Sequence, residues 1–143
     1  MENLPETNFQ SSSNHNTGHA AQYSRLSTAN ENGHADAWVS GPAAVGQWLE
    51  ADLSEQRTIV AVELRPRDGH AQWVSTYKLA FSNDGSDYSF VQIVNGEDRI
   101  FSGPSGIGDY VTSSFEPVNA RYIRIYPLTY QSYMAVKWEV YGC

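Results

Sequence analysis

Short runs in which apolar and polar residues alternate one by one recur from Gln47 to the end of this chain. A period of two is the spacing of side chains on opposite faces of a β-strand. In QWLEADL, Leu49, Ala51 and Leu53 share one face and Trp48, Glu50 and Asp52 the other. TIVAVEL (58–64) sets Val60, Val62 and Leu64 together, and VSTYKLAF (74–81) does so with Tyr77, Leu79 and Phe81. The cluster Asn83-Asp84-Gly85-Ser86 then turns the chain into YSFVQIV, which predicts a hairpin. RYIRIYP (121–127) alternates Ile123 and Ile125 with Arg124 and Tyr126, and AVKWEVY (135–141) alternates Val136, Trp138 and Val140 with Lys137 and Glu139. No segment of ten or more residues carries a helical period. Turn clusters separate the runs, so an antiparallel sandwich or barrel with neighbouring chain ends is the expected architecture. Pro117 and Pro127 bracket the Arg121 run as entry and exit turns.

A chain of 143 residues, 41% hydrophobic and 17% charged, can bury a substantial core as one domain over 1–143. Its net charge of -7, with nine Lys and Arg in all, argues against nucleic acid and against an anionic membrane surface. Cys143 is the single cysteine, so neither an internal disulfide nor a multi-cysteine metal site can form. No apolar run reaches the length of a membrane span. The His, Ser and acidic residues are framed by no nucleophile elbow or metal motif, and GPSGIGD (103–109) lacks the Lys-Ser/Thr ending of a phosphate loop. It reads as a long hairpin connection, and the chain as no enzyme.

Five blocks in order, DAW with GQWLEADL, QWVSTYKLAFSNDGSDYS, NARYIRIYPLTY and AVKWEVYGC, give the chain its most specific signal. With MEN at the start and SRL (24–26), taken as a short strand, they resemble the discoidin domain family, the coagulation factor V/VIII type C domain, from end to end. The resemblance implies an all-β, discoidin-like antiparallel β-sandwich, jellyroll-like or a distorted barrel, with protruding loops at one end. It also implies an extracellular or cell-surface adhesion module within a larger protein, binding glycan or protein ligands through those loops. Phosphatidylserine-dependent binding at a membrane surface is the alternative. The family's closing disulfide would join Cys143 to a cysteine before Met1, which points to a chain cut from a longer one.

On that layout the loops fall at 13–23, 39–47 and 65–73, with TYQSYM (129–134) beside them. Membrane insertion needs apolar area and basic flanks, whereas NHNTGHAAQ and VSGPAAVG offer small or polar tips apart from Val39 and Val45. Sugar recognition needs fixed polar groups and an aromatic face. RPRDGHAQW supplies Arg65, Arg67, Asp68, His70, Gln72 and Trp73, and the adjacent loop supplies Tyr130 and Tyr133. Trp73 opens a strand, so the core competes for it. Trp38, Trp48 and Trp138 are expected in the core. His15 and His19, four apart, would share a metal only on a helix, and Asn-Thr-Gly between them makes a polar loop instead, where they join the ligand-binding set. No cofactor is called for. Asn30, Asn32 and Asp36 offer oxygen donors of the kind calcium takes, against an ordinary Asn-Gly turn.

Overall fold

The alternating runs fold as strands in a computed structural model that describes residues 1, 3–31 and 33–142. In chain order the strands are β1 (Phe9–Ser11), β2 (Trp38–Val39), β3 (Leu49–Arg65), β4 (Trp73–Ser82), β5 (Ser89–Phe90), β6 (Phe101–Ser102), β7 (Val111–Gln131) and β8 (Ala135–Gly142). Short 3-10 turns at Glu6–Asn8, Thr17–His19 and Ala21–Ser24 are the helical pieces among the described residues. The hydrogen-bonded order is β2-β8-β3-β7-β4-β5, with β1 on β3 and β6 on β4, and every strand pairing is antiparallel.

The long pair β3–β7 makes this sheet a sandwich. Leu49 to Asp52 run against Ile125 to Tyr122, the ladder breaks, and Arg57 to Leu64 then run against Ala120 to Val111. At the break Ser54 has a φ of 72°, and the ribbon folds over. Strands before and after the fold therefore face each other across one core. Trp38, Trp138, Tyr77, Leu49, Ile123 and Ile125 are completely buried there. Burying each tryptophan removes an area worth about 4–6 kcal/mol before conformational entropy is set against it.

Some expectations shift in register. Val62 and Leu64 face the core with Ile59, but Val60 is half-buried, because the ladder slips between Ile59 and Ala61. Pro117 and Pro127 lie inside β7 and not at its ends; each sits where the ladder is irregular, so a missing N–H costs no pairing. Lys137 and Glu139 do not face water, since β8 lies between β2 and β3 and loops cover its other face. Residues 21–24 form a 3-10 turn, and Arg25 makes only a one-residue bridge to Trp138. The 103–110 segment joins β6 to β7, but β6 pairs with β4, so it closes no hairpin. Trp48 is half-buried, with the guanidinium of Arg124 3.7 Å above its ring. The hairpin at 83–86 forms, with Phe81 opposite Ser89 and Gly85 at a φ of 76°.

Candidate functional site

Because β3 and β7 are antiparallel, residues following their C-terminal ends would lie at opposite ends of a flat ribbon. The fold at 53–57 brings them to one end. Arg67 and Gln72 after β3, Tyr133 after β7, His15 and His19 after β1, and Val39 at the end of β2 line a single cleft of about 210 Å3.

Local hydrogen bonds shape each wall. Asn16 caps the Thr17–His19 turn by accepting from Gly18 N–H at 2.9 Å, and the His15 N–H donates to Val39 O at 2.8 Å. Trp38 Nε1 donates to Ser13 O at 2.9 Å, tying the first loop to the core. In the β3–β4 loop Arg67 N–H donates to Gln72 O at 3.0 Å. Ser132, at a φ of 63°, turns the chain so that Tyr133 N–H reaches Gln131 O at 2.7 Å.

The lining is chemically mixed. His15 stands edge-on to His19 and to Tyr133, with ring centroids 5.4 and 5.7 Å apart, which makes an aromatic wall. Opposite chemistry comes from Arg67, whose Nε donates to Asp36 Oδ1 at 3.4 Å and whose Nη1 donates to Gln72 Oε1 at 3.1 Å. Among the described residues nothing accepts from Arg67 Nη2, and the Gln72 amide nitrogen is likewise left to donate. Burial lowers the His19 pKa from its ordinary value near 6.5, helped by the charges of Arg67 and His15 and opposed by Asp36, so the ring is neutral at neutral pH.

Behind the cleft is a buried ion cluster. Asp36 and Lys137 are 1% and 2% exposed. Asp36 Oδ2 accepts from Asp68 N–H at 2.9 Å and from Lys137 Nζ at 3.4 Å; Lys137 also donates to Asp68 Oδ2 at 2.9 Å and Thr28 O at 3.2 Å. Burial alone would raise the Asp36 pKa, but the Asp68 N–H and the Lys137 charge outweigh it and hold the carboxyl below its usual range. The cluster pins the β3–β4 loop to residues 28–36 and β8, and so aims Arg67.

Of the residues singled out from the sequence, His15, His19, Arg67 and Tyr133 meet at the cleft, and Asp68, His70, Trp73 and Tyr130 do not line it. Asp68 turns its carboxylate to Lys137. His70 holds its Nδ1 2.7 Å from Asp68 O within the loop. Trp73, half-buried, starts β4 opposite Gln131, and Tyr130 sits opposite Val74 on β7. Val39, read as part of a loop tip, is 2% exposed and forms cleft floor. Of the oxygen donors considered for calcium, Asp36 has both oxygens engaged by N–H groups, which does not suit a cation ligand, and Asn32 lies outside the described residues. Gln72, named with the polar groups of the same loop, also lines the cleft, whereas Asn16 and Lys137 were not foreseen. Lys137 carried no signal, because alternation placed it on the solvent side.

Comparison with known proteins matches residues 8–140 to the model of the F5/8 type C domain. The chain belongs to this family. Discoidin-2 of Dictyostelium discoideum is 30% identical over 141 residues, covering 94% of this chain and 53% of that protein. The solved discoidin II superposes with a TM-score of 0.82 at 29% identity over 94% of this chain and 54% of that one. Rat lactadherin is 28% identical over 98% of this chain and 34% of its own length. This F5/8 type C domain thus spans about half or less of these relatives. A Clostridium perfringens CBM32 module, solved in complex with GalNAc-β-1,3-galactose, shares the fold with a TM-score of 0.71 at 17% identity, over 97% of this chain and 99% of that module.

Proposed function

We propose that this domain is a non-catalytic, extracellular recognition module that takes the terminal unit of a glycan in the cleft between His15, His19, Arg67, Gln72 and Tyr133. The observation that carries this reading is the pairing of an aromatic wall with undersupplied donors in one small concavity. A sugar ring offers both an apolar face and several hydroxyls, and it needs both kinds of partner. The volume of about 210 Å3 is below the range of about 300–1,000 Å3 usual for drug-sized ligands and suits a single ring at a chain end. Among the described residues no carboxylate lines the cleft, so hydroxyls and amide groups meet donors without a competing anion. Fold alone would not select this ligand class; the mixed side chains of the cleft support it.

A glycan array tests it. The wild-type domain is expected to retain a defined set of glycans, and R67A, losing a charged donor, to lose at least about tenfold in affinity for them. Equal retention by R67A would contradict the reading.

A second reading, phosphatidylserine-dependent membrane binding, is supported by apolar side chains at the same end. Val45 is 73% exposed, and Ile107 and Tyr110 on the 103–110 loop are 61% and 55% exposed. Salt-sensitive pelleting with acidic but not neutral vesicles, abolished in V45S/I107S, is its expected signature.

A further inference from the structure

We propose that Asn16 is a positioning residue which fixes the tautomer of His19, so that His19 Nε2 presents a bare acceptor to the cleft beside the Arg67 donors. Such a pair reads one ligand hydroxyl, which donates to the ring and accepts from the guanidinium. The proposal rests on the cleft being the glycan site.

The orientation of the Asn16 amide is settled by its neighbours. Gly18 N–H donates to one of its atoms at 2.9 Å, so that atom is the oxygen. The same Oδ1 lies 2.6 Å from His19 Nδ1. Two acceptors do not approach so closely; Nδ1 therefore carries the hydrogen and donates it. In the neutral ring Nε2 is then the lone-pair site. A free imidazole favours the other tautomer, with hydrogen on Nε2, which would add one more donor to a cleft already supplied by Arg67 and Gln72.

The groups facing His19 favour the neutral ring on balance. His15 comes from its own loop, Arg67 from the β3–β4 loop, and Tyr133 from the β7–β8 loop by way of His15. Asp36, the one carboxylate acting on the ring, is neutralised by Lys137 and Arg67, and Asp68 by Lys137. Burial and the Arg67 charge accordingly outweigh Asp36. Protonation would turn Nε2 into a donor and a cation beside Arg67, and the hydroxyl would lose its acceptor.

Nitrogen-15 NMR of the imidazole rings in the ligand-free domain tests this without any ligand. At about pH 8 His19 is expected as the Nδ1–H tautomer. N16A is expected to move it to the Nε2–H form, and N16D, which keeps the acceptor, to hold it as Nδ1–H. An Nε2–H form in the wild type, or no change in N16A, would overturn the proposal. The second arm titrates the uncharged probe GalNAc-β-1,3-galactose. Its affinity is expected to fall about tenfold in N16A, to recover in N16D, and to decline between about pH 8 and pH 5 in the wild type, with the midpoint at higher pH in N16D. A flat pH profile with binding intact would also overturn it. No binding at any pH would count against the glycan reading alone, leaving the tautomer to decide the role of Asn16.

Discussion

At the scale of single residues, partners and not residue types decide what each polar group does. Arg67 and Arg124 are both guanidiniums beside a carboxylate, yet they differ in function. Arg124 is sandwiched between Trp48 and Tyr88 at 3.7 and 4.0 Å from their ring centres and donates to Glu50 Oε1 at 2.9 Å, so it is closed to ligands and acts structurally. Burial and the Glu50 hydrogen bond push the Tyr88 phenol pKa well up, consistent with a hydroxyl that donates permanently to that carboxylate. Removing the cation in R124A strands Glu50 and should cost about 3–5 kcal/mol in urea unfolding. Tyr77 gives the opposite case. Its ring is fully buried and stacks on Phe101, while its hydroxyl meets no partner at full hydrogen-bond geometry and has only a weak interaction with the Ser113 side chain; burial outweighs that interaction and pushes its pKa up to about 12. Y77F deletes a poorly satisfied hydroxyl and keeps the ring, so it should leave stability within about 1 kcal/mol of wild type or raise it, whereas Y77A should cost about 3–5 kcal/mol.

At the scale of elements, β8 shows where alternation in the sequence stops being informative. Leu49, Ala51 and Leu53 were legible as a buried face because their neighbours on the strand meet water or paired charges. Lys137 and Glu139 were not, because what covers them is loop from distant positions, and no local pattern records that. The ladder slip at Val60 and the prolines inside β7 were hidden for a related reason: a bulge changes register without changing composition. The same closeness constrains β8 at its end. A Cβ on Gly142 would stand 1.9 Å from Thr58 O, a backbone atom that cannot yield, so G142A should lower the melting temperature markedly and prise β8 from β3. The Asp36–Lys137 pair ties β8 to two loops, and K137M leaves the buried Asp36 carboxylate with the 3.4 Å contact to Arg67 as its remaining cation partner. That variant should lose about 3–5 kcal/mol and also weaken ligand binding through Arg67.

At the scale of the whole molecule, the fold was readable from blocks in order and from periodicity, but the cleft was readable only in part. Sequence singled out the loops; it could not show that folding of the β3–β7 ribbon would set His15 and His19 against Tyr133 while turning Asp68 and His70 away. Acidification should reveal the same design in the stability of the domain. His19 has a folded pKa below its ordinary value, so an unfolded chain takes the proton first, and its contribution is present above about pH 6.5 and lost as pH falls from there. Asp36 and Asp52, the latter held low chiefly by hydrogen bonds from Arg121 at 2.8 and 2.9 Å, contribute above the ordinary carboxylate value near 3.8 and lose that contribution as pH falls through their lowered folded values. Thermal melting against pH should therefore fall in two steps, and H19Q should remove only the upper one. The most direct test of the central claim is amide NMR shift mapping during titration with a panel of neutral monosaccharides. Saturable shifts centred on residues 15–19, 39, 67–72 and 133, absent in R67A, are the predicted result; saturable shifts elsewhere, or none with any sugar, would contradict it.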